Sequence, residues 1–138
     1  GDNLPETSPA TNLTVPSPTG INGFIAPFWD DLVPGISSDA GIYVGSRGTA
    51  PSREFVVQWQ EVGLAADPSA SLTFQVVLRE QDGRALIHYG PMRTSDPTSL
   101  GASATIGAEN YDGTGGTLHG FNQPGAVRSG ASVILEPR

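Results

Sequence analysis

The chain has 138 residues, enough for one domain that buries its own core. Apolar residues make up 37% of it and charged residues only 15%, and its 18 glycines and 12 prolines fall between short apolar runs, as expected of many turns joining short strands. All seven basic residues are arginines, set against fourteen Asp and Glu for a net charge of −7, so the chain lacks the basic cluster that nucleic acid or an anionic membrane would require. The absence of cysteine rules out a disulfide framework and thiolate chemistry.

In chain order, residues 1–20 are rich in Pro, Thr and Ser and carry few sizeable apolar groups, among them Leu13 and Val15. They are expected to form an extended N-terminal segment, either a linker or a strand-donating tail, ahead of a domain over residues 21–138. Residues 24–32 (FIAPFWDDL) form an apolar run that turns acidic, and Pro27 restricts it to an edge or a bend. Residues 41–45 (GIYVG) read as a short strand. Residues 54–62 (EFVVQWQEV) alternate, with Phe55, Val57 and Trp59 on one face; residues 72–80 (LTFQVVLRE) do the same through Phe74, Val76 and Leu78. Asp82-Gly83 is a hairpin turn into residues 84–89 (RALIHY), and residues 103–109 and 131–136 complete the strands.

Residues 115–125 read as a glycine-rich loop that carries His119. No window reads as a long helix; at most a short turn is expected around residues 96–100. Period-two alternation with a polar second face favours antiparallel pairing, so the expected fold is all-β, an antiparallel β-sandwich of jelly-roll type with few or no helices. Its two sheets are expected to bury the faces carrying Phe55, Trp59, Phe74 and Ile87.

Catalytic signatures are absent. A hydrolase needs a nucleophile with a base in reach, and His88 and His119 are the only histidines, neither of them near a nucleophile-elbow or H-E-x-x-H pattern. The acids are of more interest. Asp30, Asp31 and Asp39 form one loop group, and Glu109, Asn110 and Asp112 form another. Clustered hard oxygens suit Ca²⁺, which makes a structural calcium ion the candidate cofactor, although neither group follows a defined calcium loop and Asx turns account for such residues more often. Trp29, Tyr111 and His119 are the candidate binding residues, the two aromatics as exposed anchors for protein or glycan.

Four segments, 24–32 (FIAPFWDDL), 55–63 (FVVQWQEVG), 72–92 (LTFQVVLREQDGRALIHYGPM) and 104–115 (ATIGAENYDGTG), resemble the nidogen-like domain in order and spacing. Where that family pattern continues past the Tyr-Gly strand to a tryptophan, this chain has Pro91 and Met92. The resemblance implies a secreted or cell-surface location, an adhesive role and no enzymatic activity, and it assigns no binding site. Two functions follow as expectations. One is a non-catalytic extracellular binding module with a protein or glycan partner. The other is a structural subunit of an extracellular filament or surface assembly, such as one on a bacterial surface, in which the stretch around Leu13 and Val15 adds as a strand to a neighbouring copy.

Overall fold

The computed structural model describes residues 11–137. Nine strands follow in order: β1 (Ile25–Trp29), β2 (Leu32–Val33), β3 (Gly41–Arg47), β4 (Glu54–Leu64), β5 (Asp67–Arg79), β6 (Ala85–Arg93), β7 (Thr105–Glu109), β8 (Gly116–Phe121) and β9 (Ser132–Leu135). One 3₁₀ turn, Pro97–Ser99, is capped by the Asp96 side chain, which accepts from the Thr98 amide. No α-helix occurs among the described residues.

The strands form two antiparallel sheets. The smaller has the order β1-β7-β8; the larger runs β2-β4-β5-β6-β9, with β3 paired to β4 beside β2. Pro27 sits in β1, an edge strand, where the missing amide proton removes nothing from the interior of the sheet. Between the sheets lies a core of Phe28, Ile106, Ala104 and Val127 against Leu72, Phe74, Ile87, Tyr89 and Met92. The Tyr89 hydroxyl crosses the gap and donates to the Pro27 carbonyl (2.6 Å), so a buried polar group is satisfied and the two layers are tied together. The fold is therefore an all-β antiparallel sandwich, as its alternating strands require.

Two sequence expectations need correction. The 115–125 stretch is not a loop throughout: Gly116–Phe121 forms β8, paired to β7, and His119 projects from that strand. Phe55 shares a face with Phe74 but is 43% exposed, because none of the described strands lies over it.

Candidate functional site

Three rows of side chains cross the inner face of the large sheet in register. One runs Ile42, Trp59, Phe74, Tyr89; the next Val44, Val57, Val76, Ile87, Val133; the third Ser46, Phe55, Leu78, Ala85, Leu135. Burial changes along every row. In the second, Val44 is 68% exposed and Val57 is half-buried, whereas Val76 is 5% exposed and Ile87 fully buried. In the first, exposure falls from 54% at Ile42 to 1% at Phe74. The three-stranded sheet covers β5 and β6 and stops short of β3 and β4. Trp59 marks the margin, its ring half-buried and stacked on Phe74 (centroids 5.1 Å apart, planes 14° apart).

The consequence is an apolar shelf of Ile42, Val44, Phe55 and Leu78, continuous with the core but open to solvent. A trough of about 410 Å³ runs along its inner margin, walled by Phe24, Ile25 and Ala108 of the small-sheet side and by Val57, Trp59 and Leu78 of the large sheet. Beside Phe55 and Leu78, at the edge of the shelf, Arg53 holds Glu80 through paired charge-assisted hydrogen bonds (Nε to Oε2 2.9 Å, Nη2 to Oε1 2.5 Å), and these lower the Glu80 carboxyl to a pKa of about 2. A contiguous apolar surface edged by ion pairs is the usual form of a macromolecular contact.

The sequence-derived candidates are placed as follows. Trp29, half-buried, meets Phe24 edge to face (5.3 Å) and lines a pocket of about 270 Å³ that adjoins the trough through Phe24, Ile25 and Trp59, with neither Tyr111 nor His119 on its walls. Tyr111 is 85% exposed at the tip of the β7–β8 connection. His119 is exposed, its Nε2 3.1 Å from the Ala126 carbonyl.

The acidic candidates are largely occupied by donors of the chain itself. Asp30 accepts from the Asp31 amide (2.8 Å) and the Ser103 hydroxyl (2.6 Å). Asn110 accepts from the Gly115 amide (3.0 Å). Asp112 accepts from the Thr114 hydroxyl (2.6 Å) and amide (3.1 Å), bonds that lower its pKa below the ordinary aspartate value. Asp39 lies exposed in the turn before β3, its carbonyl accepting from the Tyr43 hydroxyl (3.1 Å). Among the described residues, no three His, Cys, Asp or Glu side chains come together as a group able to hold a metal ion.

Glu109 has a different partner from the one its neighbours in sequence suggest. Buried at the end of β7, it accepts from the Ser17 amide (2.9 Å) and, with the Asn22 amide turned to satisfy its surroundings, from Asn22 Nδ2 (3.1 Å). The same stretch of chain is held by Thr105, whose hydroxyl donates to the Leu13 carbonyl (2.6 Å) and accepts from Asn12 Nδ2 (2.9 Å). Val15 is buried beside Gly107, where a Cβ would come within 2.8 Å of a Val15 methyl. Residues 11–20 thus rest on their own chain's β7; the other half of the expected 1–20 segment lies outside the described residues.

The site is thus an open apolar shelf on an all-β antiparallel sandwich. A family model described as NIDO related matches residues 3–133, and the chain belongs to that family. Domains of this kind are extracellular-type, non-enzymatic modules. No curated protein and no solved structure matches the chain significantly. No helix among the described residues is long and apolar enough to cross a membrane.

Proposed function

We propose that this domain is a non-catalytic extracellular binding module that contacts a protein partner through the shelf of Ile42, Val44, Phe55 and Leu78 and the adjoining edge of β3. The observation that carries this reading is the burial gradient along the three inner-face rows, from a sealed core at β5 and β6 to open apolar side chains at β3 and β4. Large apolar groups on a continuation of the core face are costly to leave in water, and a partner that covers them recovers about 25 cal/mol per Å² of apolar area. The trough offers few unsatisfied polar groups to orient a small ligand, which favours a macromolecule over a metabolite. Filament assembly by donation of the stretch around Leu13 and Val15 takes second place, because that stretch would first have to leave Thr105, Glu109 and the pocket over Gly107.

A peptide-display selection tests the reading. Peptides of alternating apolar pattern are expected to be enriched on the wild-type domain and lost on a Val44→Lys variant whose circular dichroism is unchanged. Enriched peptides that bind Val44→Lys equally well, or no enrichment at all, would contradict it.

A further inference from the structure

The described edge strands differ in how they are protected. β2 has two residues and runs into Pro34; β9 has four and is followed within two residues by Pro137. β1 contains Pro27 and a register shift between Ala26 and Trp29, and the β7–β8 ladder is shifted between Ile106 and Gly107. Short length, proline and bulges are the devices by which proteins stop an edge from pairing with another chain. β3 has none of them. It runs seven residues in an unbroken ladder from Gly41 opposite Gln60 to Arg47 opposite Glu54, pairs with β4 alone among the described strands, and exposes apolar side chains on both faces, Ile42 and Val44 inward and Tyr43 outward.

We propose that a second copy of this chain pairs with that edge, β3 antiparallel to β3, about a two-fold axis through Tyr43. The proposal rests on the contact surface described above and names its partner. A two-fold axis normal to a sheet keeps inward side chains inward, so it must pass through a residue rather than between two. Placed at Tyr43, it sets Ile42 of each copy against Val44 of the other on the inner face, Tyr43 against Tyr43 on the outer face and Gly41 against Gly45. It also brings the turn that carries Asp39, just outside the ladder, towards Arg47 of the second copy, opposite charges at both ends. Arg47 spends its Nε on Glu54 (2.7 Å) and keeps further guanidinium donors for this contact. An axis at Val44 instead sets Val44 against Val44 but leaves Ile42 against Ser46, Tyr43 against Gly45 and Arg47 against Gly41, losing the apolar partners of Ile42 and Tyr43 and the charge match. A strand that is apolar on both faces requires a partner that is the same, and β3 is itself such a strand. The pairing joins two large sheets into one and brings the two shelves side by side.

The chain has no cysteine, so single-cysteine variants report the register cleanly. Directly opposed residues in an antiparallel pair lie within disulfide reach, whereas diagonal ones, about 7–8 Å apart, do not. Under mild oxidation Tyr43→Cys is expected to link to itself and Ile42→Cys to link to Val44→Cys when the two are mixed, while Val44→Cys alone forms no disulfide. Light scattering of the wild-type domain is expected to show the mass approach twice the monomer value as concentration rises, and Val44→Lys is expected to abolish that rise without lowering the melting temperature measured at concentrations where the wild type is monomeric. A wild-type domain that stays monomeric throughout, or a dimer whose disulfides follow another pattern, would overturn the proposal. A monomer that still binds displayed peptides in a manner sensitive to Val44→Lys would overturn the second copy as occupant and leave the contact surface standing.

Discussion

The two ends of the large sheet are built from the same alternation and meet different fates. At β5 and β6 the inward residues Phe74, Val76, Ile87 and Tyr89 are sealed under β1 and β7; at β3 and β4 the residues in the same rows, Ile42, Val44 and Phe55, face solvent. Alternation therefore specifies which face of a strand is apolar, and the number of strands in the opposing sheet decides how much of that face is covered. Three strands over six leave a remainder. In this module that remainder coincides with the one edge among the described strands that lacks a device against pairing.

The largest effect should separate the two ends directly. Phe74→Ala removes a ring that touches Phe28, Trp59 and Tyr89, and is expected to cost about 3–5 kcal/mol in urea unfolding, whereas Val44→Ala should change stability by less than about 0.5 kcal/mol. Comparable costs at the two sites, measured where the domain is monomeric, would mean that the shelf is covered within the single chain. Glu109→Ala strips two hydrogen bonds, to Ser17 and Asn22, from the strap formed by the chain entering β1 where it lies over β7, and should cost about 1–3 kcal/mol, with faster amide exchange at Ser17 and no change in β3. Tyr89→Phe removes the tie from β6 to the Pro27 carbonyl and should cost about 1 kcal/mol while leaving the shelf as it is.

Acid should act on surface ties rather than on the core. Hydrogen bonds from Ser69 and Ser95 hold Asp67 at about 2, and those from Arg53 hold Glu80 at about 2, both below the unfolded values of 3.8 and 4.5. A depressed folded value means that the carboxylate stabilises the fold at pH above the unfolded value, and that this contribution is lost as pH falls towards about 2. The melting temperature should therefore decline between about pH 4.5 and 2, less steeply in Glu80→Gln; the same decline in that variant would remove the Arg53 pair as a cause. Smallest of all, EDTA or added Ca²⁺ should leave the melting temperature unchanged, since Asp30, Glu109 and Asp112 already accept from the chain; a rise with Ca²⁺ would show a site that these contacts do not exclude.

Much of the fold was legible in the residues. The alternation in 54–62 and 72–80 and the Asp82-Gly83 turn correspond to β4, β5 and the hairpin into β6, and Pro27 marked an edge strand correctly. β8 was not legible, because Gly115, Gly116 and Gly120 read as loop. The structure needs Gly120 for a close approach, since a Cβ there would lie 2.9 Å from that of Ala126. The strap was hidden for a related reason. A lone valine in a Pro- and Thr-rich tract carries no periodic signal, and its burial depends on the room left by Gly107, more than ninety residues away. The shelf was invisible in principle, because Phe55 and Phe74 present the same local pattern and differ only in what lies above them.

The most direct test of the unequal covering is amide exchange in the wild-type domain across a range of protein concentrations. Protection of alternate β3 amides should increase with concentration, those in β5 and β6 should stay constant, and Val44→Lys should abolish the increase. Concentration-dependent protection at β8, β9 or the Tyr111 loop, with β3 unaffected, would contradict the account and move the contact surface elsewhere.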